Sequence, residues 1–295
     1  MTTIILISSI IILAAAVASL VSYYQGREIL RPAKRKSALT LFPDQLALPF
    51  EDIAFRTADG IMLRGWYIPN DASDTTIICM HGWTSNRSSA LAHTNFLHAQ
   101  GFNLMYFDFR GHGESGGDIS TIGHLERRDV EAALEFLKFN KEEHCAKIGF
   151  YGVSMGAAVA ITEAAAHPEI RCVVAESSFD SYEYVAGRWA WVNKKIPYYP
   201  FVPPALFWVR MQLGADPELD SPLYHVAKIS PRPLLFINGS HDNIVPPASA
   251  KRLFDAAKEP KEQFIVPGAG HAKCAEVGGQ SYRDKMTEFF KKNLS

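Results

Sequence analysis

One serine of the chain has the surroundings of a catalytic nucleophile. The segment Gly152-Val153-Ser154-Met155-Gly156 comes directly after the apolar run KIGFY and directly before the helical run AAVAITEAAA. A serine on a sharp turn from a strand into a helix keeps its hydroxyl exposed, and the flanking glycines let other backbone approach closely. The alternative is a helix cap, in which the serine bonds free backbone N–H groups. The strand and helix on either side favour Ser154 as the nucleophile of an acyl transfer.

A serine hydroxyl needs a neighbouring base, and a third group must orient that base. His271 is the candidate base, because it lies in the Gly-rich segment PGAGHAK directly after the last apolar run, EQFIV. Asp242 is the candidate third member, since NGSHD follows the apolar run PLLFI. Asp180, after RCVVAESSF, is the alternative acid. We expect Ser154, His271 and one of these acids to meet at one edge of a sheet.

The oxyanion formed during acyl transfer needs preorganised N–H donors. The N–H of Met155, directly after the nucleophile, is one candidate. The segment His81-Gly82-Trp83 follows the apolar run TTIICM, and we assign the second donor to the N–H of Trp83. A simple tight turn at His81-Gly82 is the alternative.

The positions of these residues imply a particular set of elements. EDIAFRT and IMLRGWYI alternate in hydropathy on either side of Asp59-Gly60, which indicates a β-hairpin. Six short apolar runs follow, each separated from the next by a segment long enough for a helix: TTIICM, NLMYFDF, KIGFYGV, RCVVAE, PLLFING and EQFIVP. Such a pattern predicts a mostly parallel sheet with helices on both faces.

More than fifty residues separate RCVVAE from PLLFING. A connection of that length in a compact domain is usually functional. It concentrates aromatic residues, which are Tyr182, Tyr184, Trp189, Trp191, Tyr198, Tyr199, Phe201, Phe207 and Trp208. We therefore expect residues 181–229 to form a helical lid, here called the insertion. Trp189 and Trp208 are the candidate substrate-binding residues; in the alternative they only attach the lid to the body.

The motifs HGWTSN, DFRGHGESGG, GVSMG, NGSHDNIVP and GAGH occur in this order. In order and spacing they resemble the α/β-hydrolase superfamily, and within it the Bem46-like and serine aminopeptidase-like hydrolases, from about Glu51 to the C-terminus. The resemblance implies the α/β-hydrolase fold and its hydrolytic machinery. It also implies a structural role for Asp108, Arg110 and His112. The long aromatic insertion departs from the simplest family pattern.

These residues together predict a serine hydrolase that cleaves carboxylic esters. A peptidase or a thioesterase on the same machinery is the alternative, and a non-catalytic binding protein would require a broken triad. The expected partner is a small-molecule acyl substrate. No cofactor or metal is expected, because the sequence has neither G-x-G-x-x-G after a strand nor a cluster of metal ligands.

The N-terminal segment from Ile4 to Tyr23 is apolar and uncharged, and about 20 such residues span a bilayer as a helix. We therefore expect a membrane anchor over residues 1–25, a linker over 26–48 and a catalytic domain over 49–295. Basic residues follow the segment and none precedes it, which places the catalytic domain on the cytoplasmic side; these residues are Arg27, Arg31, Lys34, Arg35 and Lys36. A signal peptide cleaved near Ala16-Val17-Ala18, giving a secreted protein, is the alternative.

Bulk composition excludes few functions. A net charge of −1 leaves no basic excess for nucleic acid, which is therefore not an expected partner. The 4 cysteines show no C-x-x-C spacing, so we expect free thiols.

Overall fold

The computed structural model describes residues 2–32 and 36–294 of the chain. Within them one sheet of eight strands has the order β1-β2-β4-β3-β5-β6-β7-β8. The strands are β1 (Glu51–Arg56), β2 (Met62–Ile68), β3 (Thr75–Met80), β4 (Asn103–Phe107), β5 (Lys147–Val153), β6 (Ile170–Glu176), β7 (Leu234–Gly239) and β8 (Lys261–Val266).

Most neighbouring strands of the sheet are parallel. β1 and β2 form the predicted antiparallel hairpin, and β2 also pairs antiparallel with β4. All other neighbours are parallel. Every residue of β3, β4 and β7 is buried, as expected for strands that helices cover on both faces. The predicted α/β-hydrolase fold with a mostly parallel sheet is confirmed.

Helices cover the two faces of the sheet. α2 and α8 pack on one face, and α3, α4 and α7 pack on the other. The helices are α1 (Thr2–Leu30), α2 (Arg87–Thr94), α3 (Arg127–Asn140), α4 (Met155–Ala166), α5 (Tyr182–Lys194), α6 (Tyr198–Leu213), α7 (Pro247–Ala256) and α8 (Cys274–Leu294). Short 3-10 helices are Pro43–Leu46, Asn95–Gln100, Glu142–His144, Pro217–Asp220, Pro222–Tyr224 and Val226–Lys228.

The insertion lies between β6 and β7 and contains α5 and α6. α5 begins at an N-cap, where the Ser181 side chain accepts a hydrogen bond from the Tyr184 N–H. α6 ends at Leu213 and is followed by Gly214, which has a φ of 64°, in the left-handed region that glycine favours. Local capping therefore defines the start of one helix and the end of the other.

The predicted N-terminal membrane anchor is wrong. No helix within residues 2–32 and 36–294 combines the length and the apolar character that crossing a membrane requires. The segment instead forms α1, which continues to Leu30, beyond the expected boundary at residue 25. The placement of the catalytic domain on the cytoplasmic side depended on this anchor and is therefore wrong as well. Two of the basic residues behind that placement, Lys34 and Arg35, lie outside the described residues.

The C-terminal third of α1 packs against protein, and this is the physical reason for the difference. Ser22 is the first buried residue along the described part of the helix, and its Oγ donates to the carbonyl of Phe201 at 2.9 Å. Tyr23, expected at a lipid interface, packs edge to face on Trp208 with a centroid distance of 6.1 Å. This end of α1 therefore belongs to the packed fold, against α6.

Candidate active site

Ser154 lies on the sharp turn between β5 and α4. Its φ of 53° is in the left-handed region, which is strained for a residue with a side chain and persists only where the surroundings fix it. One fixing contact is the bond from the Ser154 N–H to the Glu176 carbonyl at 2.8 Å. Helix α4 starts at the next residue, so the hydroxyl stands at the carboxyl edge of the sheet.

The two glycines of the motif are steric requirements of this turn. A Cβ on Gly156 would lie 2.4 Å from the Met80 carbonyl oxygen, and a Cβ on Gly152 would lie 2.3 Å from the Gly156 carbonyl oxygen. Real side chains do not approach backbone so closely. The spacing of glycines around Ser154 therefore allows α4 to pack directly onto the end of β3.

Ser154, His271 and Asp242 lie in one chain of hydrogen bonds. His271 Nε2 is 2.9 Å from Ser154 Oγ, and His271 Nδ1 is 2.8 Å from Asp242 Oδ2. A carboxylate can only accept, so Nδ1 carries the proton and Nε2 is free to accept from the serine hydroxyl. This arrangement is the one in which a histidine can remove a proton from a serine.

The loops after β7 and β8 hold the acid and the base. Asp242 is 3% exposed, and its Oδ1 accepts the N–H groups of Ile244 at 2.9 Å and Val245 at 2.8 Å. These two bonds leave Oδ2 for His271. The N–H of His241 donates to the carbonyl of Ala269 at 2.9 Å, which ties the two loops together.

Asp180, the alternative acid, has different partners. Its Oδ2 accepts from Arg252 Nε at 2.6 Å, and its Oδ1 accepts from the hydroxyl of Ser249. Of the two candidate acids, Asp242 is therefore the one that contacts His271.

The end of β6 supports the loop that carries His271, which sequence reasoning did not identify. The N–H of Ala272 donates to Ser177 Oγ, and the N–H of Cys274 donates to Glu176 Oε1, both at 3.3 Å. Glu176 is fully buried, and the carbonyl of the same residue accepts the Ser154 N–H. The dipeptide Glu176-Ser177 thus contacts both the nucleophile turn and the histidine loop.

The candidate oxyanion donors lie beside the nucleophile. Met155 is the first residue of α4, so its N–H belongs to the amides at the helix start that have no partner within the helix. On the other side, a Cβ built on Gly82 would be 3.5 Å from Ser154 Cβ, so the chain after β3 passes next to the serine. Trp83 and Thr84 both line the cavity that contains Ser154.

Two buried histidines shape this loop. His112 Nε2 accepts the N–H of Thr84 at 3.1 Å, and its Nδ1 donates to the carbonyl of Arg110 at 2.9 Å. His81 Nε2 accepts the N–H of Phe109 at 3.0 Å. Burial lowers the pKa of both histidines to about 4. Both rings are therefore neutral near pH 7, as these bonds require.

The other expected structural residues of the DFRGHGESGG segment anchor the turn after β4. Asp108 accepts the backbone N–H of Arg87 at 2.7 Å and that of Glu114 at 2.9 Å. Arg110 Nε donates to Asp129 at 2.8 Å. These contacts fix the backbone that leads to His112.

An apolar cavity of about 240 Å³ opens beside the nucleophile. Trp189 lines it, and its ring packs edge to face on Trp83 with a centroid distance of 5.3 Å. Trp208 is not among the described residues that line it, and packs on Tyr23 instead. The lining residues are Ile29, Trp83, Thr84, Ile122, Ser154, Met155, Phe179, Val185, Ala186, Trp189, Asn193, Ile244 and His271.

A wider groove of about 480 Å³ adjoins this cavity, and the two share Trp83, Thr84, Trp189 and Asn193 as lining residues. Glu28 and Lys194 lie at the groove and form an ion pair at 3.1 Å. The groove gives the apolar cavity a more polar approach.

Sequence reasoning missed most of the aliphatic wall of the cavity. Ile29, Ile122 and Ile244 come from three separate parts of the chain. Ile29 and Ile122 lie in none of the sequence motifs, and Ile244 lies in NGSHDNIVP without being singled out there. Val185 and Ala186 lie on α5, where sequence reasoning selected the aromatic Trp189 instead. Only the fold brings these residues to one place.

One group of possible metal ligands occurs away from the nucleophile. Ligand atoms of Glu131, Glu163 and His167 lie within 4.8 Å of one another, between α3 and the C-terminal end of α4. Glu163 is already paired with Arg127 Nε at 2.6 Å. The Arg127 guanidinium supplies the positive charge that a metal cation would bring. We therefore interpret Glu131, Glu163 and His167 as part of an ion-pair network.

Comparisons with known proteins identify the family of this chain. Residues 71–198 match the family model described as serine aminopeptidase, S33. The uncharacterised protein YqkD of Bacillus subtilis is 31% identical over 79% of this chain and 76% of its own length. The uncharacterised protein YfhR of Escherichia coli K12 is 30% identical over 81% of this chain and 80% of its own length. A solved structure of the Pyrococcus furiosus esterase Pf2001 is 31% identical, with a TM-score of 0.74 over 87% of this chain and 95% of that chain. The chain belongs to the α/β-hydrolase superfamily and is a hydrolase of its esterase-like group.

Proposed function

We propose that this chain is a serine hydrolase that cleaves carboxylic esters with lipophilic acyl groups. The observation that carries the proposal is the 2.9 Å contact between Ser154 Oγ and His271 Nε2 beside an apolar cavity. In this proposal residues 49–295 form the catalytic domain, with the insertion as its lid.

Acylation begins when Ser154 Oγ attacks the ester carbonyl carbon and His271 Nε2 takes the hydroxyl proton. Asp242, with Oδ2 directed at Nδ1, stabilises the imidazolium that forms. The N–H groups of Met155 and Trp83 stabilise the negative oxygen, and one such donor is worth about a hundredfold or more in rate. The carbon–oxygen bond to the alcohol then breaks, and the imidazolium protonates the departing alkoxide.

Deacylation repeats these steps with water. His271 takes a proton from a water molecule while the water oxygen attacks the acyl carbon. The N–H groups of Met155 and Trp83 again stabilise the oxyanion that forms. Collapse releases the carboxylic acid, and the proton returns to Ser154 Oγ. The groove that adjoins the cavity would allow the alcohol to leave and water to enter.

The chemistry of the cavity wall favours an ester over an aminopeptidase substrate. Binding a free α-amine requires a carboxylate near the scissile bond, because a buried ammonium group needs a counter-charge. Among the described residues that line the cavity there is no Asp or Glu. Glu28, at the adjoining groove, is already paired with Lys194. The wall suits an apolar acyl group.

A substrate panel tests this proposal. Purified full-length chain is assayed with p-nitrophenyl esters, aminoacyl p-nitroanilides and acyl thioesters, and Ser154→Ala gives the background. We expect the highest kcat/KM for esters with acyl groups longer than acetyl. Anilides as best substrates would establish the peptidase alternative, and thioesters the thioesterase. No turnover above the Ser154→Ala background would leave a non-catalytic binding protein.

A further inference from the structure

We propose that Ile29, on the N-terminal helix α1, closes the acyl cavity and limits its substrates to medium-length acyl chains. The inference rests on the proposed esterase function and adds a specificity-determining residue and a chain-length class to it. Its starting point is that Ile29, which lies in the segment predicted from the sequence to be a linker, contributes a side chain to the active-site wall.

The C-terminal end of α1 is held against the insertion. Ser22 Oγ donates to the Phe201 carbonyl at 2.9 Å. A Cβ on Gly26 would lie 2.9 Å from the Ala205 carbonyl oxygen, so the two helix backbones approach closely there. The C-terminal end of α1 therefore has little freedom to move relative to α6.

Two more contacts fix the last turn of α1. Glu28 forms an ion pair with Lys194, the last residue of α5, at 3.1 Å. On the other side, the carbonyl of Leu30 accepts the N–H of Ser120 at 2.8 Å. Ile29 lies between these two contacts along the chain. The backbone bond to Ser120 restrains it more than the exposed ion pair does.

Ile29 is 5% exposed and lines the cavity together with Ser154 and His271. It belongs to the same buried apolar cluster as Phe179 and Val185, which also line the cavity. A β-branched side chain on a helix has one strongly preferred rotamer. Ile29 is therefore a stiff wall rather than an adaptable one.

The cavity volume sets the chain length. An apolar cavity of about 150 Å³ holds benzene, which corresponds to about 25 Å³ per carbon. On that scale the 240 Å³ cavity accommodates about nine or ten carbons. The wild-type chain should therefore prefer octanoyl and decanoyl esters to hexadecanoyl esters.

The test is a series of p-nitrophenyl esters from acetyl to hexadecanoyl, with kcat/KM measured on the full chain. Ile29→Ala removes three carbons from the wall, about 75 Å³ on the same scale. We expect the ratio of kcat/KM for the dodecanoyl ester to that for the octanoyl ester to rise about tenfold. Ile29→Phe should shift the preferred chain to shorter esters.

Leu30→Ala is the matched control. Leu30 is 2% exposed and belongs to the same apolar cluster, but it is not among the cavity-lining residues. It should lose stability like Ile29→Ala while keeping the wild-type ratio. If Ile29→Ala does not fold, Ile29→Val and Ile29→Phe apply the same test in opposite directions.

Equal ratios in wild type, the Ile29 variants and Leu30→Ala would overturn this inference. That result is distinct from failure of the proposed function, in which ester turnover would not depend on Ser154. An enzyme that needs Ser154 but ignores Ile29 would remain an esterase whose chain-length limit lies elsewhere.

Discussion

The backbone N–H of Thr84 donates a hydrogen bond to Nε2 of His112 at 3.1 Å. Thr84 follows Trp83, the proposed second oxyanion donor, and has a φ of 62°. A threonine keeps that conformation only where its surroundings impose it. Because Nε2 can accept only while the imidazole is neutral, the protonation state of His112 and the shape of this loop are linked.

The first prediction concerns pH and stability. Burial lowers the pKa of His112 to about 4, whereas an unfolded histidine has a pKa of about 6.5. Between these values the unfolded chain binds more protons, so the stability linked to His112 is fully present above about pH 6.5 and is lost as pH falls toward about 4. In His112→Gln the amide oxygen can accept the Thr84 N–H without titrating. Lowering the pH from about 7 to about 5 reduces the free energy of unfolding in both proteins. We expect this reduction to be about 2 kcal/mol smaller in His112→Gln than in wild type.

Urea denaturation of both proteins at the two pH values measures this difference. His81 titrates in both proteins, so its contribution largely cancels in the comparison. The account of the loop fails if wild type and His112→Gln lose the same stability.

A second prediction separates the two candidate acids. Asp242→Asn should lower kcat on the order of ten-thousandfold with a short ester, because the amide no longer holds His271 in the tautomer that accepts from Ser154. Asp180→Asn should keep most of the turnover, since its carboxylate contacts Arg252 and Ser249.

Thermal unfolding of both variants is the control for indirect effects. A folded Asp180→Asn protein with the larger loss of kcat would assign the acid to Asp180 instead.

The third prediction uses the two tryptophans that the sequence singled out. Trp189 lines the cavity, whereas Trp208 packs on Tyr23. Trp189→Ala should flatten the dependence of kcat/KM on acyl length more than it lowers turnover of an acetyl ester. Trp208→Ala is the matched aromatic control and should keep the wild-type dependence. Equal flattening in both variants, measured with the same ester series, would mean that the cavity does not bind the acyl chain.

The sequence was sufficient to predict the sheet, because each buried parallel strand is a local apolar run. It was also sufficient to nominate Ser154, His271 and Asp242, since each lies in the turn or loop after such a run and parallel strands end at one edge. The separate partners of Asp180 and Asp242 could not be predicted, because both acids follow a strand in the same way.

The N-terminal helix shows where local reasoning ends. An apolar run predicts a helix, but nothing in residues 4–23 indicates that the C-terminal third of the helix packs on α6. The contact between Ser22 and Phe201 spans 179 residues of chain, and no periodic pattern encodes it. Ile29 was missed as a wall of the cavity for the same reason, and so was the packing of Trp208 on Tyr23.

Fluorophosphonate labelling tests the central claim most directly, because the reagent bonds covalently to a serine oxygen that a neighbouring base has activated. The full chain is incubated with the probe, digested and analysed by mass spectrometry, with Ser154→Ala and His271→Ala treated in parallel. We expect one labelled peptide carrying the adduct on Ser154, no adduct in Ser154→Ala, and strongly slowed labelling in His271→Ala. A wild-type protein that stays unlabelled, or a Ser154→Ala protein that labels and hydrolyses esters like wild type, would contradict the account.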